Sequence, residues 1–149
     1  MKRLSTTAYI LLAFVLLKIL LHLLSADQLG LQRDEYLYLE LGRHLDWGFW
    51  SNPPLIGAVS WFSQTFFGDS VLATRLPTAL AGGGLLLVTG LMVRELGGGR
   101  FAQILCGAGM LFSIAWLRTF SMLQPVPFEV LCWALLSFGL LKWLKTDDA

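Results

Sequence analysis

The chain has 149 residues, 56% of them hydrophobic and 14% charged, with a formal net charge of +1. A soluble domain carries about 25% charge because its surface must stay hydrated, so this composition indicates an integral membrane protein, and the 13% aromatic content excludes a disordered chain. Lys+Arg 11 against Asp+Glu 10 leaves no cationic excess, which excludes a nucleic-acid binder.

A bilayer-spanning helix needs about 20 mostly apolar residues. The first such run covers residues 8–24 and is interrupted only by Lys18 and His22. With Lys2 and Arg3 ahead of it, a cleaved signal peptide is the competing reading, but the run is long for a signal core. Lys18 is expected to snorkel toward an interface or to face other helices. Further runs at 71–93, 101–117 and 128–144 give four expected spans. Cys106 and Cys132 lie inside these runs and read as small buried hydrophobes, not as a disulfide framework. Lys and Arg near helix ends set orientation. With the N-terminus inside, Lys2, Arg3, Arg94, Arg100, Lys142 and Lys145 all fall on the cytoplasmic side, and the acidic first loop lies outside. In a bacterium that loop is periplasmic and the membrane is the inner one.

The first loop, residues 25–69, carries two short amphipathic patterns. Leu37, Leu41 and Leu45 recur at helical spacing, and Leu55, Val59, Phe62 and Phe66 do so again after Ser51-Asn52-Pro53-Pro54. Asn52 is the expected N-cap of the second helix, since proline is tolerated in a first turn. Trp47, Phe49, Trp50 and Trp61 suit an interfacial belt, so both helices are expected to lie in the membrane interface. The expected fold class is thus all-α integral membrane, with about four transmembrane helices and two interfacial helices. Gly97-Gly98-Gly99-Arg100 lacks the Lys-Ser/Thr of a phosphate-binding loop and reads as a tight turn. Gly82-Gly83-Gly84 and Cys106-Gly107-Ala108-Gly109 read as small-residue patches for close helix packing.

Arg33-Asp34-Glu35-Tyr36 opens the first loop helix. Acids there are favoured by the helix dipole alone. Two adjacent acids beside an arginine also suit chemistry, with one carboxylate as base and its neighbour positioning a metal or a donor.

In order, the chain shows Arg33-Asp34-Glu35-Tyr36, then Asp46-Trp47-Gly48-Phe49-Trp50-Ser51-Asn52-Pro53-Pro54, then Phe67-Gly68-Asp69-Ser70 and Arg75-Leu76-Pro77. This series resembles the N-terminal part of the polyprenyl-phosphate-sugar-dependent glycosyltransferases of the GT-C fold. That group covers family 39, including the protein O-mannosyltransferases, and the aminoarabinose transferases that modify lipid A. The likeness runs from about residue 5 to the C-terminus. It implies that Asp34 is the catalytic base and Glu35 its partner acid, with Glu35 also the ligand of a divalent metal if one is used. It implies a donor-phosphate region at Asn52, Pro53, Pro54, Arg43 and Arg75. For Arg75, an interfacial snorkeller is the equal alternative. Relatives carry an aspartate shortly before the fourth span. Here Glu129 is the nearest acid, and it either takes that role or caps the fourth helix.

The implied activity transfers a sugar from a polyprenyl-phosphate carrier to a hydroxyl of a protein, lipid A or another glycan at the external face of the bilayer. Arg33, Arg43, Arg75 and Arg118 stand on the outer side as candidate phosphate partners. Relatives have many more membrane helices, so the chain is expected to be an N-terminal fragment that is inactive alone. The alternative is a small non-catalytic four-helix membrane protein with a transport or assembly role, in which Asp34 and Glu35 merely cap a helix. A transporter more often places acids within the spans.

Overall fold

The computed structural model describes residues 6–28 and 30–147, and Lys2 and Arg3 lie outside them. Among the described residues every regular element is helical: α1 (Thr6–Ser25), a 3-10 turn (Ala26–Gln28), α2 (Arg33–Arg43), α3 (Pro54–Phe67), α4 (Val71–Glu95), α5 (Arg100–Phe112), α6 (Ile114–Thr119) and α7 (Val126–Asp147). Three of these are long and apolar enough to cross a bilayer, over Ala8–Ser25, Val71–Glu95 and Val126–Thr146. The chain is therefore an all-α protein with the makings of a membrane protein.

The expected third span is divided. Residues 101–117 are mostly apolar, yet Ser113 turns extended (φ −70°, ψ 117°) and ends α5 while starting α6. At 1.5 Å per residue, the 13 residues of α5 reach about 20 Å, short of the roughly 30 Å hydrocarbon core. Hydropathy sums side chains and does not register one serine torsion. The two loop helices form where the spacing places them. The cap differs, because Pro53 takes the N-cap with Pro54 in the first turn, while Asn52 turns its backbone oxygen to the Phe49 N–H at 3.3 Å.

Helix α4 is the hub, packing against α1, α3, α5 and α7. Its small residues permit this. A Cβ on Gly82 would sit 3.0 Å from Phe120, one on Gly83 2.7 Å from Ile19, and one on Gly107 of α5 2.9 Å from Phe14. The two glycine patches are thus packing surfaces in part, although Gly109 faces open space. Gly97 takes φ +84°, and this left-handed residue closes the turn between α4 and α5.

Pro77 inside α4 removes the N–H that would bond the Ala73 carbonyl four residues earlier. The buried Ser63 hydroxyl of α3 donates to that carbonyl instead, at 2.5 Å. A proline that weakens one helix thereby fixes a second against it. Gln64 and Gly42 join α3 to α2: Gln64 Nε2 donates to the Leu39 carbonyl at 3.0 Å, and a Cβ on Gly42 would meet the Trp61 backbone nitrogen at 2.8 Å. At the opposite end of α4, Glu95 meets Lys142 at 3.7 Å and its carbonyl accepts from Lys145, so α7 runs parallel to α4.

Candidate functional site

Helix α2 begins with a capping box: Gln32 is the N-cap, and the Glu35 side chain reaches back to its N–H at 2.9 Å. That short loop holds Glu35 pointing inward while its neighbour Asp34 faces out. Glu35 is 1% exposed and meets Arg75, 5% exposed, through two parallel bonds of 3.0 Å (Nε to Oε1) and 2.7 Å (Nη2 to Oε2). The Leu123 N–H donates to Oε1 at 2.9 Å. Arg75 also donates to the Ala26 carbonyl at 2.6 Å and to the Gly30 carbonyl at 3.0 Å. One ion pair thus gathers the end of α1, the start of α2, the start of α4 and the segment before α7. Burial works to raise the Glu35 carboxyl. The Arg75 hydrogen bonds, the Gln32 and Leu123 N–H donors and the Arg75 charge outweigh it and hold the group below the usual carboxylate range.

A carboxylate offers about four acceptor positions, and all four on Glu35 are occupied by protein donors. It does not fit a divalent cation. Among the described residues, no group of three His, Cys, Asp or Glu side chains is placed to hold one.

Asp34 is 66% exposed, bonded to the Arg33 Nε at 3.3 Å, and lines a cavity of about 410 Å³ with Gln32, Thr119, Gln124 and Arg118. An exposed pair of this kind contributes roughly 0–1 kcal/mol, so Asp34 is available to other partners. A second cavity of about 590 Å³ lies alongside, walled by His22, Ser25, Arg75, Arg118 and Ser121 among others. Arg118 and Gln32 belong to both walls.

The structure thus brings Asp34, Glu35, Arg75 and Arg118 together. It does not bring the remaining candidates there. Arg43 is exposed and bonds Glu40 at 3.4 Å and Gln64 at 3.3 Å. Pro53 and Glu129 share a separate, apolar cavity of about 180 Å³ with Ile56 and Phe128. Glu129 occupies the first turn of α7, the place a helix favours for an acid. Asn52 bonds the Ser51 hydroxyl at 2.8 Å, and Pro54 opens α3. Arg75 stands neither at an interface nor open to solvent, since protein groups surround its guanidinium.

Two participants carried no mark in the sequence pattern. Gln32 and Leu123 act through backbone N–H groups that every residue has. Lys18 and His22 stood out only as polar breaks in an apolar run, and their spacing of four places them on one face of α1. Both face inward, with Lys18 0% and His22 5% exposed. Cys106 is half-buried and Cys132 exposed, both as free thiols. Comparison of the chain with protein-family models, with curated proteins and with solved structures finds no match in any of the three.

Proposed function

We propose that the chain forms the outer-face end of a membrane glycosyltransferase of GT-C type, which moves a sugar from a polyprenyl-phosphate carrier to a hydroxyl acceptor. The observation that carries this reading is Asp34 in the wall of a cavity that also presents Arg118, beside a buried acid–arginine knot. In the reaction Asp34 takes the acceptor's hydroxyl proton, the freed oxygen forms a bond to the anomeric carbon, and the bond from that carbon to the phosphate oxygen breaks. The electron pair leaves with the polyprenyl phosphate, whose charge Arg118 offsets. Glu35 and Arg75 are positioning residues that fix the start of α2, and with it Asp34. No step needs a metal.

This reading places the N-terminus in the cytoplasm and α2 and α3 at the outer face of a bacterial inner membrane. The α5–α6 pair makes the third of four crossings. The acceptor, whether protein, lipid A or glycan, approaches from outside. The test is transfer of labelled sugar from a polyprenyl-phosphate donor, in membranes carrying the protein in its native genomic context. Transfer that Asp34→Asn abolishes supports the proposal, and transfer unchanged by that substitution removes it.

A second reading gains from the Glu35–Arg75 pair. Full use of Glu35 in holding helices together is what a non-catalytic membrane protein with an assembly role requires. It predicts no transfer with any donor.

A further inference from the structure

Gln103 lies in the first turn of α5 and is 3% exposed, although glutamine belongs mostly at protein surfaces. Its Nε2 faces the Gly90 carbonyl of α4 at 3.5 Å. A carbonyl only accepts, so the N–H end of the amide points there and the oxygen elsewhere. Oε1 is buried and has no hydrogen-bond partner among the described residues. An acceptor taken from water and left unpaired is costly, and a donor from outside the chain removes that cost.

Gln103 also stands in the wall of a cavity of about 230 Å³ between α1, α4 and α5. About 24 Å along α4 separates Leu91 in this wall from Arg75 at the candidate site. Leu11, Leu12, Val15, Leu87 and Leu91 supply most of the remaining surface, with exposed Arg94 beside them. Leu12 is 47% and Leu87 41% exposed, so the cavity is continuous with the apolar flanks of two candidate spans.

The wall selects among occupants. A buried water needs about two to four polar partners, and Gln103 and Arg94 are the polar side chains among the described lining residues. An apolar cavity of roughly 150 Å³ already takes up benzene, so this one has room for a short length of hydrocarbon chain. A plain acyl chain fills the volume but leaves Oε1 bare. A carboxylate or phosphate brings further acceptors to an acceptor, and an ammonium brings a charge into an apolar wall. A neutral hydroxyl donates one hydrogen and carries no charge.

We propose that this cavity binds an uncharged amphiphile through its free hydroxyl, which donates to Gln103 Oε1 while the attached chain packs on the leucines. No covalent bond changes. The site goes beyond the sugar-transfer reading and does not depend on it.

The test uses NMR of the full chain in phosphatidylcholine bicelles, whose lipid carries neither a hydroxyl nor an N–H. The probes are octanol and its isomer methyl heptyl ether, which differ in whether the oxygen can donate. Gln103 is the only glutamine that follows an alanine, so pairwise isotope labelling identifies its signals without a variant. Octanol is expected to shift both the Gln103 side-chain carbonyl and the leucine methyl signals. It should bind about 3–10-fold more tightly than the ether, the gain of one neutral hydrogen bond. The ether should shift the methyl signals alone. In Gln103→Met, read at the methyl signals, the two probes should bind equally. Octanol that leaves the Gln103 carbonyl unmoved, or an ether that moves it as far, overturns the site. So does an octanol preference that persists in Gln103→Met. The comparison of the two probes needs only the unsubstituted chain, so it decides the matter even where Gln103→Met fails to fold.

Discussion

Glu35 and Arg75, 40 residues apart in sequence, meet through two parallel hydrogen bonds inside the protein, and the Leu123 N–H completes the carboxylate from a third segment. Everything around the candidate site is placed relative to this pair. Its saturation separates two acids that stand side by side in the sequence: the Glu35 carboxylate is fully engaged by protein donors, and Asp34 is exposed.

Glu35→Gln removes the buried carboxylate that the Arg75 guanidinium grips through two bonds and should destabilise the protein by about 3–5 kcal/mol. Replacing both partners at once, as Glu35→Leu with Arg75→Met, should recover much of that loss. Thermal unfolding in detergent measures both. Equal losses in the single and double variants would show that the pair's charge is not what matters.

The depressed Glu35 carboxyl also sets an acid limit. A group held lower in the folded state than in the unfolded chain adds stability above its unfolded value and loses it as pH falls toward the folded one. Unfolding temperature should therefore be insensitive to this group above about pH 4.3, the ordinary glutamate value, and drop below it. The drop should be smaller in the Glu35→Leu, Arg75→Met double variant.

Ser63 and Pro77 should behave as a coupled pair. Ser63→Ala strands the buried Ala73 carbonyl at a cost of about 1–3 kcal/mol. In a Pro77→Ala background the restored N–H takes that carbonyl, and the same serine substitution should cost little. A double-mutant cycle reads the difference, and additive costs would refute the exchange.

Two glycines should respond in opposite directions. Gly42→Ala drives a methyl into the Trp61 backbone and should cost about 1–3 kcal/mol by prising α2 from α3. Gly109→Ala meets nothing within 4 Å inside α5 and should stabilise by about 0.4–1 kcal/mol. Thermal melts of the two variants check the pair.

Asp34→Asn should leave stability within about 0.5 kcal/mol, as for an ordinary surface change. It should lower any sugar transfer by about 10²–10⁴-fold, the usual contribution of a general base. Labelled product and an unfolding curve, measured on one preparation, separate the two effects.

The local features were legible in the sequence because they follow from spacing. The leucine series of α2 and the Leu55–Phe66 series of α3 mark real helices, and the glycine triplet in α4 marks a real contact. The features that were not legible depend on chain segments meeting. Nothing near Glu35 announces Arg75 or Leu123, and nothing in a mostly apolar run announces the extended Ser113. The cap of α3 failed for a smaller reason: Asn52 has the right side chain, but two consecutive prolines move the helix start one residue on. Asp34 and Glu35 are adjacent in the sequence, and only the direction of each side chain makes one exposed and the other buried.

The Glu35–Leu123 bond bridges 88 residues, and this sets an order of events at the ribosome. At about 5–20 residues per second of translation, roughly 4–18 s separate the synthesis of one partner from that of the other. During that interval the Glu35 carboxylate lacks its Leu123 donor, and water must fill the place of the missing N–H. The seal at this corner of the protein thus closes only once the segment just ahead of α7 has been made.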